Sequence, residues 1–147
     1  MDIKFYYKNR PQSIKREVVI SGFARAISNV IDLPDTLEVC LYDLGKNVYG
    51  GIDMFTVNRI GINYELDYES IPLILTHELI HVNQKHKKHL EIRNNGYYYW
   101  MGIPYSNKPL EELTFEEYQN LPWELDVVQR QTKVLQMAMD ILAPKLL

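Results

Sequence analysis

Apolar residues recur at three- to five-residue steps through Ile14, Val18, Phe23, Ile27 and Val30, predicting a helix over 12–32 with a broad apolar face. Pro34 closes it. The period then changes. In TLEVCLYDL (36–44), Leu37, Val39 and Leu41, with Asp43 next in the series, alternate with their neighbours as in a half-buried strand. GKN and YGG punctuate two further extended pieces, roughly 48–55 and 57–64, the second alternating at Ile60 and Ile62. After a short extended start, the first half therefore reads as a helix followed by a small three-stranded sheet. Gly50, Gly51 and Gly61 mark places where the backbone bends or is closely approached.

The helical period returns at residue 71 and runs to about 88, with Ser70 as N-cap and Pro72 tolerated in the first turn. Within it stands LTHELIHVNQ (75–84). At ~100° per residue, His77 and His81 fall within about 40° of each other, Gln84 lies on the same side, and His86 points roughly opposite. His86 and His89 therefore read as surface residues. An irregular segment crosses to TFEE, where Thr114 and Glu117 have the form of a capping box and Glu116 is solvated. A last helix begins at LPWELD (121–126). With Glu124 at zero on the helical wheel, Val128, Leu135, Ala138, Met139 and Leu142 fall within about 60°, placing Glu124 in the middle of an apolar stripe. Asp126 falls at about 200°, beside Arg130, Lys133 and Asp140 on the polar face. The fold class expected is α+β.

At 147 residues the chain fits one domain, 1–147, with length enough to bury a core. Its net charge of −3 argues against a nucleic-acid-binding surface. The one concentrated basic run, KHKKH (85–89), sits at a helix C-terminus, where cations favour the dipole and meet solvent. Cys40 is the only cysteine, which excludes an intrachain disulfide and a cysteine-rich zinc site. MDIKFYYKNR lacks the apolar core of a signal peptide, and no apolar run is long enough to cross a bilayer. A cytoplasmic protein without a membrane partner is the expectation.

The chemistry concentrates in HELIH. One helical turn separates the imidazoles of His77 and His81, so both reach a single ion on one face. Glu78 points beside that ion, where it can hold a metal-bound water and take its proton. A catalytic zinc needs a third protein ligand. No histidine follows His89, and Lys87 and Lys88 occupy the region where a third-histidine pattern would continue, so the ligand has to be a carboxylate. Glu91 follows too closely to fold back, Glu111 and Glu112 lie in a polar stretch, and Glu117 has its cap to make. A carboxylate facing a core must be paired or bound to metal, which selects Glu124. A buried ion pair, for example with Arg59, is the competing reading. For the two histidines it is hydrogen bonding within the core.

These residues resemble the zincin metallopeptidases, specifically the gluzincin type with two histidines and a glutamate, and most of all small single-domain members, including phage-encoded ones. NRIGINYEL (58–66) resembles the strand and turn before the metal helix, and HELIHVNQ is similar to an H-E-x-x-H-x-x-Q variant of minimal zincins. YWMGIPY followed by LPWELD resembles the W-x-G-x-x-Y and P-W-E-x-E/D-A segments of phage relatives, so the likeness spans roughly 45–135. Val127 stands where relatives often have alanine, and Val128 replaces the last residue of the E-x-x-x-D signature of larger gluzincins.

The resemblance implies a zincin-like fold, one Zn2+ per chain held by His77, His81 and Glu124, and peptide hydrolysis with Glu78 as general base and then acid. It implies that Arg59, Ile60, Gly61 and Ile62 form the edge along which an extended peptide or protein substrate lies. An oxyanion donor is expected from Tyr97, Tyr98, Tyr99 or Tyr105, with Gln84 orienting a ligand. A phage-encoded member would act in the bacterial host cytoplasm. The alternative is a non-catalytic, zinc-stabilised binding or structural protein on the same scaffold, which intact Glu78 disfavours. A role on DNA–protein crosslinks is disfavoured by the acidic balance and the lack of a basic tail.

Overall fold

Alternation in the first strand, β1 (Asp2–Tyr7), turns Ile3, Phe5 and Tyr7 toward the interior; in β2 (Thr36–Tyr42) it buries Leu37, Val39 and Leu41 completely. The computed structural model describes residues 1–43, 50–52, 56–105 and 112–146. β1 and β2 run parallel, Asp2 opposite Thr36 through Tyr7 opposite Leu41, with α1 (Ile14–Ser28) as the crossover between them. β4 (Arg59–Asn63) lies parallel to β2 on its other side, and β3 (Gly50–Ile52) closes the sheet antiparallel to β4, giving the order β1-β2-β4-β3. The sheet is four-stranded, not three-stranded, because the short extended start pairs along its whole length with β2. Of the strand expected at 48–55, residues 50–52 form β3; 48, 49 and 53–55, like residue 44, lie outside the described residues.

Helices α1, α2 (Ile71–His86) and α4 (Pro122–Leu146) pack against one another, and α2 also packs against β3 and β4. The apolar line of α1 that packs runs through Ile20, Ala24 and Ile27. Val18 stands two residues, about 200°, from Ile20 and is exposed, as is Ile14, so the N-terminal part of the predicted stripe faces solvent. Asp43 does not continue the buried face of β2; its carboxylate takes the Arg10 guanidinium at the surface, 2.8 Å away.

α2 starts as its pattern indicates, with Pro72 in the first turn, although the Ser70 side chain makes no capping hydrogen bond. Lys85 leaves the solvated basic run: its stem is buried and its ammonium donates to the Thr56 carbonyl, tying α2 to the segment before β4. His86, Lys87 and Lys88 are exposed, and His89 rests edge-on against Trp100.

Over residues 90–104 the crossing segment is not irregular. β5 (Leu90–Ile92), β6 (Tyr98–Trp100) and β7 (Ile103–Pro104) form a second, antiparallel sheet. Met101 and Gly102, with φ of 52° and 81°, make the two-residue turn between β6 and β7, the backbone that matches strand twist in a tight hairpin. The short helix α3 (Phe115–Gln119) then opens on the expected capping box, Thr114 accepting from the Glu117 amide and the Glu117 carboxylate from the Thr114 amide. The fold is mixed α+β. Among the described residues no helix is long and apolar enough to cross a membrane.

Candidate metal centre

LTHELIHVNQ lies in the buried part of α2, and α4 crosses it with the opposite sense: His77 meets Gln131 while Gln84, further along, meets Trp123 and Asp126. This crossing brings the first turn of α4 onto the two histidines. Glu124 Oε1 lies 3.1 Å from His81 Nε2, and Glu124 Oε2 lies 3.6 Å from His77 Nε2. The three donor atoms all fall within 4.8 Å of one another. Tetrahedral ligands at about 2.0–2.2 Å from an ion stand roughly 3.3–3.6 Å apart, so the spacing suits an ion with few adjustments. His77, His81 and Glu124 can hold a metal ion.

Proton positions sharpen this. Gln84 is fully buried, and its amide nitrogen donates to the Trp123 carbonyl and to Asp126 Oδ2, each at 2.9 Å. Both are acceptors only, so the amide cannot be turned round. Its Oε1, 2.8 Å from His81 Nδ1, must therefore accept a proton from that nitrogen. The Nε2 of a neutral His81 then carries a lone pair aimed at a carboxylate oxygen 3.1 Å away. Two lone pairs held that close in a buried site need a positive charge between them, a proton or a metal ion.

The charges around the centre respond accordingly. Burial pushes Glu124 up, but hydrogen bonds from His77 and His81 outweigh it and hold the carboxyl well below the usual carboxylate range. His77 moves the other way. Burial lowers its proton affinity, and Glu124 and Glu78 more than restore it. Glu78 is buried beside the histidines, and burial raises its proton affinity although His81 and His77 oppose this.

Comparison with protein-family models, curated proteins and solved structures returned no match. The chemistry available to the centre follows from its donors and their neighbours. Gln84 is fully buried, with its amide oxygen against His81 Nδ1, where it can orient that ring. Asp126, expected on the polar face in water, is only 27 % exposed and accepts from both Gln84 and Arg130. The cause is the roll of α4: Trp123, Val127, Val134 and Ala138 are buried while Val128 and Met139 are exposed. Glu124 thus stands at one margin of the packed face rather than in its middle, and Asp126 approaches α2 from the other.

Four tyrosines were candidates as donors at the centre, and their described contacts lie elsewhere. Tyr98 stacks on Trp123 and Tyr105 meets the same ring edge-on. Tyr99 accepts from Asn95 and carries the Arg93 guanidinium over its ring; the Tyr97 backbone bonds Asn95 and Arg93. Among the described contacts, a tyrosine the sequence did not point to reaches the centre: Tyr118, whose hydroxyl donates to Glu124 Oε1 at 3.0 Å. Burial and the Glu124 charge both raise its hydroxyl's proton affinity, so it remains a donor. Gln131 also lies about 20° from Glu124 on the wheel, a polar residue that the apolar pattern does not select.

Ile60, Gly61 and Ile62 do not form an edge, and Arg59 stands opposite Glu38 of β2. β4 is paired on both sides, by β2 and by β3, so its main-chain groups are engaged. Among the described residues the outer strand beside the centre is β3: a Cβ built on Gly50 would sit 3.1 Å from Glu78 Cγ. Arg59 pairs with Glu38 on β2 at 2.8 Å, and Glu124 has the histidines and Tyr118 for partners, which removes the Arg59 ion pair as an account of Glu124.

Proposed function

We propose that this chain is a zinc-dependent metallopeptidase with a zincin-like, gluzincin-type centre: His77, His81 and Glu124 as ligands and Glu78 as general base and then acid. The observation that carries the reading is the convergence of two imidazole Nε2 atoms and one carboxylate, each oriented by a further side chain, on one space that a metal ion can fill. Two nitrogens and an oxygen suit zinc among the common divalent ions. When bound, zinc supplies a Lewis acid for a peptide carbonyl and an acidified water.

The chain's own residues do the rest. Glu78 sits beside the ligands, where it would take a proton from the attacking water and deliver it to the leaving amine; burial raises its proton affinity, which favours the first transfer. Tyr118 holds Glu124 in place through its hydroxyl. An extended peptide finds main-chain partners along β3, the strand that borders Glu78, rather than along β4. A site that only stabilised the fold would have no use for a buried carboxylate at position 78. The single cysteine suits a reducing compartment such as the cytoplasm.

Protein purified without added metal is expected to contain about one zinc per chain, and to hydrolyse an unstructured protein in a chelator-sensitive, zinc-restored manner. Metal-free protein whose melting temperature ignores added zinc would remove the reading at its base.

Gly50→Ala tests the placement of the base. The added methyl meets Glu78 Cγ, the Gly61 carbonyl and Ile74 Cγ2, each at 3.1 Å. The carbonyl belongs to the sheet, so the Glu78 side chain gives way. Turnover should fall on the order of tenfold with zinc content unchanged, a fraction of what a misplacement of about 1 Å costs. Loss of zinc in parallel with turnover would show that Gly50 supports the fold and not the base.

A further inference from the structure

Both histidines present Nε2 to Glu124 and Nδ1 to a glutamine amide oxygen: His81 to Gln84 at 2.8 Å, His77 to Gln131 at 3.1 Å. We propose that Gln84 and Gln131 are positioning residues that keep each ring proton on Nδ1 through a neutral acceptor, and that Gln131 is the adjustable one, setting how tightly the centre holds a divalent cation. This rests on the metal-centre reading above.

The two glutamines are built differently. Gln84 is fully buried and every polar atom of its amide is engaged. Its partner Asp126 is held by Arg130, which also reaches Asn83 Oδ1 at 3.1 Å; Asn83 in turn donates to the Asp32 carbonyl at 2.8 Å. Gln84 therefore belongs to a relay that registers α2 on α4, and any change there disturbs fold and metal together. A charged replacement would set its second oxygen against Asp126 Oδ2. Gln131 is half-buried, its ring partner His77 is 29 % exposed, and among the described residues His77 is its polar partner. Position 131 can change its acceptor without breaking a relay.

The acceptor matters for the metal. A neutral amide oxygen fixes the tautomer and leaves the imidazole an ordinary donor, whereas a carboxylate draws on the Nδ1 proton and makes Nε2 more basic. A divalent cation balances the two carboxylates of Glu78 and Glu124, and neutral amides behind the rings preserve that balance. Glutamate at 131 would add a charge and strengthen one ligand; an apolar residue would leave the His77 ring free to turn.

Zinc affinity measured by competition with a chromogenic chelator decides the matter. Gln131→Glu should bind about tenfold tighter than the wild type and Gln131→Leu about tenfold weaker, the scale on which residues behind metal-bound histidines act. In zinc-loaded, 15N-histidine-labelled protein, the His77 Nδ1 proton should stay observable in Gln131→Glu and be lost to exchange in Gln131→Leu. Gln131→Met, which keeps the length and removes the acceptor, replaces the leucine variant should that unfold. Affinities within about twofold of the wild type in both directions would overturn the proposal while leaving the metal-centre reading intact. A wild type that binds no zinc would overturn both.

Discussion

Glu78→Gln should leave the chain folded and zinc-loaded while reducing peptide hydrolysis by at least the 10²–10⁴-fold, roughly, that a positioned proton-transfer group contributes. Glutamine has the same shape, so the contact with Gly50 and the packing of α2 on β3 survive. What disappears is the ability to accept a proton. The carboxylate is buried and its proton affinity raised, so a neutral amide also removes an unfavourable burial, and the metal-free variant should melt no lower than the wild type. Zinc measured on the purified variant, beside its turnover, separates the outcomes. Retained turnover would take the base away from Glu78; lost zinc would make Glu78 a ligand and dissolve the assignment of Glu124.

The parts of this centre that could be read from sequence are those that depend on one helix alone. The four-residue spacing of His77 and His81 fixes their common face whatever α2 packs on, and the Thr114–Glu117 box needs only its own first turn. In β2, alternation sufficed because one face of the strand is buried along its length. Less visible were features set by two elements at once. β1 earns its place through parallel pairing across a helix, a non-local contact that its six residues do not announce. The edge at β4 was implied by the resemblance and not by its pattern; β3, within the extended piece at 48–55, is the strand that pairs along its other side.

Other signals were present and unread. Asn95-Gly96 and Met101-Gly102 punctuate 89–105 as hairpin turns do, yet the intervening tyrosines drew attention as chemistry rather than as strand residues. The adjacent valines of α4 carry the same lesson. A helical wheel orders residues around a helix but does not say which arc the neighbours press upon. α1 and α2 both pack on α4 so that Val127 is 0 % exposed and Val128 60 % exposed. That choice, invisible within the helix, swings Asp126 onto Gln84 and moves Glu124 to the margin where a ligand has access to an ion.

Glu124→Ala and Asp126→Ala should therefore both harm the centre, but unequally and by different routes. Removing Glu124 takes away the charged ligand, leaving two imidazoles and water around the ion, and deprives Tyr118 of its acceptor. Zinc affinity should fall by orders of magnitude, and the melting temperature should lose its dependence on added zinc, since a ligand stabilises only the state that binds it. Removing Asp126 touches no ligand. It strands a buried Gln84 amide hydrogen and leaves the Arg130 guanidinium with Asn83 alone, which should cost the metal-free fold about 1–3 kcal/mol, more than a surface substitution does. Gln84 then loses one of its anchors, and zinc affinity should weaken by about tenfold through the loosened His81 ring. Chelator competition and thermal melts with and without zinc read both effects. If Asp126→Ala lost zinc outright and Glu124→Ala kept it, the ligand set would be wrong; if Asp126→Ala were silent in both, its hydrogen bond to Gln84 would hold nothing.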